Sequence, residues 1–175
     1  MTAKAPPPAD LVVDTAARSL TAAGVTTACV IGRGGPCAAE QKREGDGCTP
    51  LGRFSLRAVL LRPDRVGTVT SGLPRRWLRP SDGWSDDPVD PAYNRAVTHP
   101  HGFSAEALWR ADGVYDVIVP IGFNDAPVVP GRGSAIFLHC TRPDAAPTEG
   151  CIAVPKVALL AILAALTGTS TMLIS

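Results

Sequence analysis

The chain has 175 residues with 17 basic and 16 acidic side chains. Its net charge of +1 argues against a protein that binds nucleic acid through a basic surface. Hydrophobic residues make up 45% and charged residues 19%, which is typical of a folded globular chain rather than a disordered one. The length suits one domain with one core. The 17 glycines and 17 prolines follow no period, so they predict many short elements joined by turns.

The first residues predict a short lead before a single domain. Residues 1–9 contain Pro-Pro-Pro and little that could be buried, so we expect a disordered lead at 1–9 and a folded domain at 10–175. The N-terminal residues contain no apolar segment typical of a secretory signal. The longest apolar run, 157–166, is about half as long as a membrane span, so no span is predicted.

Short strands and loops are predicted over the first hundred residues. Apolar runs at 11–14 and 28–31 are typical of strands, because turn residues follow each of them. Charges and glycines at 40–52 predict a long exposed loop, and the run at 53–61 predicts another strand. Residues 62–100 are rich in proline and predict an irregular segment, whose length is typical of functional or binding regions.

The remaining residues predict a mixture of strands and one clear helix. Residues 104–110 predict helical turns, because Ser104 can cap them and Glu106 suits the first turn. Pro155, followed by good helix formers, predicts a helix that ends at Gly168. Further strands are predicted at 114–121, 134–138 and 171–174. The fold class is therefore mainly β, a sandwich or a barrel, with one clear helix and a few short helices.

One segment, 134–155, carries residues that suit nucleophilic catalysis. His139 ends a predicted buried strand, and Cys151 follows 12 positions later, directly after Gly150. A nucleophilic thiol needs an imidazole to take its proton. Glycine beside the sulfur leaves room for a substrate carbonyl, and the N–H groups of Gly150 and Cys151 could hold the oxyanion. The spacing by itself fits a buried structural cysteine and a core histidine better, because such residues are common in protein interiors.

The other four cysteines are expected to lie outside the chemistry. The total of five is odd, so at least one thiol stays free and the chain is not a disulfide scaffold. Cys29 is expected in the core and Cys48 in a loop, whereas Cys37 is left open. Strand alternation turns the side chain of Cys140 away from that of His139.

Metal sites are predicted to be absent. His99 and His101 are two positions apart, which does not match the usual spacing of zinc ligands, and exposed loop positions explain them better. Asp86, Asp87 and Asp90 lack the 12-residue spacing of a calcium-binding loop, so solvated, turn-capping roles are expected.

Several blocks along the chain resemble one known family. They are IGRGG (31–35), KREGDGCTPLGRF (42–54), RPDR (62–65), GWSDDPVDPAYNR (83–95), EALWRADGVYDVIVPIGFN (106–124), GRGSAIFLH (131–139) and PTEGC (147–151). From about residue 11 to the end, the chain resembles the L,D-transpeptidase catalytic domain, in the YkuD-like branch with the EGDG-x-TP-x-G-x-F signature. The resemblance implies a β-sandwich or barrel with a cysteine–histidine pair and no metal or organic cofactor.

The same resemblance implies a substrate and a reaction. Such domains act on peptidoglycan stem peptides, where the thiol attacks the carbonyl of the third residue, a diamino acid. Terminal D-alanine leaves, a thioester forms, and the amine of a second stem resolves it into a 3→3 cross-link. By resemblance Cys151 is the nucleophile, His139 the base and Cys140 the residue whose backbone carbonyl sets the imidazole tautomer. Thr148 occupies a Ser/Thr position of the family, and Gly150 adjoins the nucleophile.

The chain departs from the family pattern at two places. Ala153 stands where many relatives have an arginine, so Arg142 or Arg132 is expected to bind substrate instead. Ser85 stands where relatives of this branch often have a cysteine, so a thiol there is dispensable. Trp84, in the long irregular segment, is expected to help shape the substrate groove.

Two alternatives to transfer follow from the same residues. Water in place of the amine would make the chain an L,D-carboxypeptidase or an amidase, and a degenerate site would leave a non-catalytic wall-binding module. Localisation stays open, because the substrate of the family lies outside the cytoplasmic membrane and no signal segment is evident. A misassigned start, another export route or a cytoplasmic wall fragment as the target would each explain this. The oligomeric state is also left open.

Overall fold

The structure is a computed structural model that describes residues 10–175, so the lead predicted at 1–9 lies outside the described residues. The described part contains a single helix, α1 (Lys156–Leu163), so the prediction of a few short helices beside it is wrong. Its strands are β1 (Leu11–Asp14), β2 (Ser19–Ala22), β3 (Val25–Ala28), β4 (Pro36–Ala38), β5 (Thr49–Ser55), β6 (Val59–Leu61), β7 (Arg75–Trp77), β8 (Asp82–Ser85), β9 (Ala96–Thr98), β10 (Ala105–Ala107), β11 (Val117–Pro120), β12 (Phe137–Cys140), β13 (Ile152–Val154) and β14 (Thr171–Ile174).

The strands form three sheets, and the predicted mainly-β class is confirmed. Six strands lie in the order β3-β2-β1-β14-β5-β4, five in the order β13-β12-β11-β6-β7, and three in the order β10-β8-β9. The first and last strands are parallel neighbours, with Leu11 opposite Met172, so the two ends of the described chain pair at the centre of the largest sheet. The predicted strands at 11–14 and 171–174 are both present, and each buries alternate residues.

The five-stranded sheet is covered on both faces, which explains why β11, β12 and β13 are buried along their whole length. Leu138, Val119 and Ile152 face one apolar cluster, which they share with side chains of the six-stranded sheet and of α1. Ile118 and Phe137 face a second, smaller cluster on the opposite side. Successive residues of each strand therefore alternate between two interiors.

The helical turns predicted at 104–110 are wrong. Residues 105–107 form β10, which pairs antiparallel with β8, so that Glu106 lies opposite Trp84. A seven-residue helix has little stability of its own, and the hydrogen bonds of a neighbouring strand override the local preference. The segment 62–100 is irregular only in part, because it contains the short strands β7, β8 and β9.

Three predictions in the first third of the chain need correction. The strand predicted at 28–31 lies earlier, at Val25–Ala28, because it pairs with β2 across a tight turn. The strand predicted at 53–61 is two strands, β5 and β6, which belong to different sheets. The loop at 40–52 is not fully exposed: Lys42 is 2% exposed, and Thr49 is buried at the start of β5. The buried Lys42 ammonium lies 2.5 Å from Oδ1 of Asp46, which is partly exposed.

The predicted helix after Pro155 is present but shorter than expected. Pro155 caps α1, and the helix ends at Leu163, with Ala164 as its C-cap, before Gly168 is reached. Residues 164–170 continue as turns that lead into β14. No helix among residues 10–175 has both the length and the apolar character needed to cross a membrane.

Candidate active site

A cavity of about 480 Å³ opens beside the five-stranded sheet, and the side chains of His139 and Cys151 both line it. His139 lies on β12, and Cys151 immediately precedes β13. These strands are parallel neighbours, with Leu138 opposite Ile152, so Cys151 lies one step before that pair and His139 one step after it. Cys151 is therefore level with Phe137, which is two residues before His139 on β12. Because residues two apart on a strand share a face, both side chains line the cavity.

The imidazole of His139 is held in one orientation by the backbone. Its Nδ1 lies 2.9 Å from the carbonyl oxygen of Cys140, which can only accept, so Nδ1 carries the proton and Nε2 is left with a lone pair. The Tyr115 ring packs against the imidazole edge to face, with 5.2 Å between centroids. Burial lowers the pKa of His139 to about 4, so the ring is neutral at pH 7.

The thiol of Cys151 is buried and hydrogen-bonded to the neighbouring strand. Its Sγ donates to the Ala135 carbonyl at 3.1 Å and accepts from the Phe137 N–H at 3.3 Å. Burial, together with the nearby charge of Glu106, raises the pKa of Cys151 to about 12. No hydrogen bond among the described residues joins the thiol to His139, so the two groups share one cavity as a neutral thiol and a neutral imidazole.

The side chain of Cys140 faces away from the cavity, as strand alternation predicts. It packs in the apolar cluster between the two large sheets, and only its carbonyl contacts His139. The contribution of Cys140 to this site is therefore made by its backbone.

The turn before the thiol is held by Thr148. The Thr148 hydroxyl donates to the Cys151 carbonyl at 2.6 Å and accepts from the Gly150 N–H at 3.2 Å. The Gly150 carbonyl accepts from the Thr49 hydroxyl at 2.9 Å. The N–H of Gly150 therefore has a partner inside the turn, and this leaves the N–H of Cys151 as the nearer candidate for holding an oxyanion.

Gly150 also lies against the segment that follows the EGDG sequence. Its φ is +133°, and a Cβ at this position would lie 2.7 Å from the backbone oxygen of Cys48. No real Cβ contact is that short, so the close approach of the two segments requires glycine.

The two arginines predicted to replace the missing one at position 153 are placed differently. Arg142 lines the cavity together with Ala153. Arg132 is not among the residues that line it, and its guanidinium donates to the carbonyl of Ala39 at 3.3 Å.

Trp84 lies behind the site rather than in it. Its Nε1 donates to Oδ1 of Asn94 at 2.9 Å, and its ring packs edge to face on Phe137 at 5.1 Å. It lines a separate cavity of about 190 Å³. Trp84 therefore packs on Phe137, the residue whose N–H contacts the sulfur, but does not itself line the cavity.

Several cavity residues were not expected from the sequence. The Tyr115 hydroxyl donates to Oε1 of Glu106 at 2.7 Å, and burial raises the pKa of this carboxyl above its usual range. Glu44, Asp86 and Arg110 line the same cavity. All five residues lie within the family-like blocks. Their residue types and sequence spacing do not indicate that they lie close together, because β10, the segment before β11 and the long loops meet only in the folded chain.

Asp87, Asp90 and His101 hold together the turns around the 83–95 block. Oδ2 of Asp90 accepts from the Ser85 hydroxyl at 2.5 Å and contacts Nε2 of His101 at 2.6 Å, and Oδ1 accepts from a backbone N–H. Asp87 likewise accepts from the backbone N–H of Val89. These contacts are those of turn-capping aspartates. The expected solvated and exposed positions are wrong for three of these residues, because Asp90 is buried and His99 and His101 are partly buried.

The fold and the cavity together define a β-sheet protein that carries an oriented imidazole on one strand and a thiol immediately before the neighbouring strand. The sequence matches the profile of the YkuD family, described as the L,D-transpeptidase catalytic domain, over residues 8–173. The chain therefore belongs to the YkuD family, whose members are cysteine-dependent enzymes that modify peptidoglycan. Searches of curated proteins and of solved structures found no significant match.

Proposed function

We propose that this chain is an L,D-transpeptidase that joins peptidoglycan stem peptides through a thioester on Cys151. One observation carries the proposal: Cys151 and His139 line the same cavity, and the backbone carbonyl of Cys140 fixes the imidazole tautomer that a base requires. Membership of the YkuD family supports peptidoglycan stem peptides as the substrate and the partner.

The proposed first step is acyl transfer to sulfur. Because burial keeps the resting thiol and imidazole neutral, the proton passes from Sγ of Cys151 to Nε2 of His139 as the sulfur attacks the substrate carbonyl. The carbonyl of the third stem residue becomes an oxyanion, which the N–H of Cys151 stabilises. When this intermediate collapses, the C–N bond to D-alanine breaks, and the leaving amine takes the proton back from His139.

In the second step an amine of another stem attacks the thioester. His139 takes a proton from that amine, the C–S bond breaks, and the proton returns to the sulfur, so the free thiol and the neutral imidazole are regenerated. The new amide bond is the 3→3 cross-link. Water in place of the amine would give the shortened tripeptide stem instead.

Arg142 is the proposed substrate-binding cation. It lies on the exposed rim of the cavity, and no hydrogen bond or ion pair of the described residues engages its guanidinium. A carboxylate of the stem peptide could therefore bind it without displacing a partner. Arg132 and Trp84 would act at most from outside the cavity.

Mass spectrometry of the protein mixed with a purified stem tetrapeptide tests this function. We expect the wild-type chain to gain the mass of the tripeptide acyl group, and the Cys151→Ala variant to gain none while still folding. Cys140→Ala is the matched control, because it removes a neighbouring thiol but keeps the backbone carbonyl that contacts His139. Acylation of Cys151→Ala, or loss of acylation in Cys140→Ala with its fold retained, would contradict the assignment.

The released products then separate transfer from hydrolysis. With two stems present, cross-linked dimers support the transpeptidase, whereas tripeptides without dimers would replace it with a carboxypeptidase.

A further inference from the structure

Two thiols outside the active site lie next to each other. Cys37 is on β4, and Cys48 directly precedes β5. These two strands are parallel neighbours in which Cys37 lies opposite Pro50, so the pairing brings residues 37 and 48 together. Their sulfur atoms lie within 4.8 Å of each other, and both residues are partly exposed. Cys29, Cys140 and Cys151 are buried.

The same cluster includes Asp46, but its carboxylate is already engaged. Oδ1 of Asp46 accepts from the Lys42 ammonium at 2.5 Å and from the Cys48 N–H at 2.8 Å, and Oδ2 accepts from the Arg43 N–H at 2.7 Å. Two thiols without a free third ligand do not make a tetrahedral zinc site. The arrangement therefore favours a bond between the two sulfurs over a metal held by them.

The Cys48 segment supports the turn that carries Cys151. The Cys48 carbonyl packs against Gly150, and the Thr49 hydroxyl donates to the Gly150 carbonyl at 2.9 Å. The same hydroxyl accepts from the Gly32 N–H at 2.8 Å. A covalent tie at Cys48 would therefore act on the backbone against which the nucleophile's turn is packed.

We propose that Cys37 and Cys48 form a reversible disulfide site. Forming this disulfide braces the turn at Gly150, which means that it restricts the motion of the backbone against which that turn packs. The oxidant is a low-molecular-weight disulfide such as oxidised glutathione. One cysteine thiolate attacks it, forms a mixed disulfide and releases one glutathione thiolate. The second cysteine thiolate attacks the protein sulfur of the mixed disulfide and releases the other. Two electrons pass from the protein to glutathione, and the two thiol protons go to the two released thiolates.

Exchange at this site is expected to be slow at neutral pH. Burial and the neighbouring Cys48 thiol raise the pKa of Cys37 to about 11, so little thiolate is present at pH 7. A rate that rises with pH is therefore part of the expected behaviour, and the proposal holds whether or not Cys151 is the nucleophile.

Peptide mapping of the full-length protein after incubation with oxidised glutathione, followed by alkylation in denaturant, tests the site. We expect a cross-linked Cys37–Cys48 peptide, a chain two hydrogens lighter, and alkylated Cys29, Cys140 and Cys151. Glutathione adducts that persist without this cross-link, or a cross-link to Cys151, would overturn the proposal. Tight stoichiometric Zn²⁺ binding by the reduced protein that protects both thiols from alkylation would also overturn it and make the cluster a metal site.

Oxidation should also change stability and local protection. A disulfide that closes a loop of this length is expected to raise the midpoint of thermal unfolding by about 5–10 °C. The rise is measured within each variant, oxidised against reduced, so a lower baseline does not hide it. It should appear in the wild type and in the buried-thiol control Cys29→Ala, and be absent in Cys37→Ser and Cys48→Ser.

Hydrogen exchange measures the bracing itself. Amides of residues 148–151 should exchange more slowly in the oxidised wild type than in the reduced protein, and oxidant should not change them in Cys37→Ser. Unchanged exchange in a fully cross-linked protein would refute the bracing.

Discussion

Gly150 offers a test in which two costs of one substitution can be separated. Alanine at this position must adopt a φ of +133° and must place its Cβ 2.7 Å from the backbone oxygen of Cys48. The backbone conformation alone costs about 1–3 kcal/mol for a residue with a side chain. Because the contacting atom belongs to backbone, relief of the clash must move the Cys48 segment or the turn that carries Cys151.

Gly35 is the matched control for Gly150. Its φ is +74°, and a Cβ there would meet nothing within 4 Å, so Gly35→Ala introduces a left-handed alanine without a clash. We expect Gly35→Ala to cost about 1 kcal/mol and Gly150→Ala about 3 kcal/mol or more. At roughly 2–4 °C per kcal/mol, the midpoints should fall by about 3 °C and about 9 °C.

Thermal unfolding gives these two midpoints, and mass spectrometry of thioester formation reports the effect on Cys151. Gly150→Ala should acylate at least tenfold more slowly than the wild type, since a small misplacement of a nucleophile is costly, and Gly35→Ala should acylate normally. Equal stabilities of the two variants together with wild-type acylation in Gly150→Ala would refute the reasoning.

Three further predictions concern stability and the site. Thr148→Val removes both hydrogen bonds that its hydroxyl makes, so it should cost about 2 kcal/mol and slow thioester formation, whereas Thr148→Ser should restore both; equal behaviour of the two variants would contradict this. The pKa of His139 falls from its ordinary 6.5 to about 4 on folding, so its unfolded form binds the proton more readily and stability is lost as the pH falls from 6.5 to 4. Between these two pH values, urea unfolding should show that the free energy of unfolding falls by about 3 kcal/mol more in the wild type than in His139→Asn. Parallel pH dependences of the two proteins would show that the imidazole is not buried in neutral form. Asp46→Asn leaves the buried Lys42 ammonium without an anion and should cost about 3 kcal/mol, more than Lys42→Met, and urea unfolding that gives the reverse order would contradict the pairing.

The element types followed from the sequence wherever the local pattern agreed with the tertiary environment. β1 and β14 are short, mostly apolar runs beside turn residues, and the run after Pro155 has helix formers, so each was predicted. Residues 104–110 were mispredicted because their capping pattern is local, whereas the strand β8 that pairs with them lies about 20 positions away.

The candidate site divides in the same way. The sequence by itself determined that His139 lies near the end of a buried strand, that Cys151 follows a glycine, and that the side chains of Cys140 and His139 point in opposite directions. Strand alternation has a period of two whatever the partners are, so these statements needed no tertiary contacts.

Only the tertiary structure decided which groups meet around these residues. The parallel pairing of β12 with β13 brings His139 and Cys151 to one cavity, and the pairing of β4 with β5 brings Cys37 to Cys48. Register and sheet order depend on how distant apolar faces are buried against each other, and no local pattern encodes that. The burial that keeps the Cys151 thiol and the His139 imidazole neutral is likewise a property of the assembled core, because each group loses its water only when both faces of the sheet are covered.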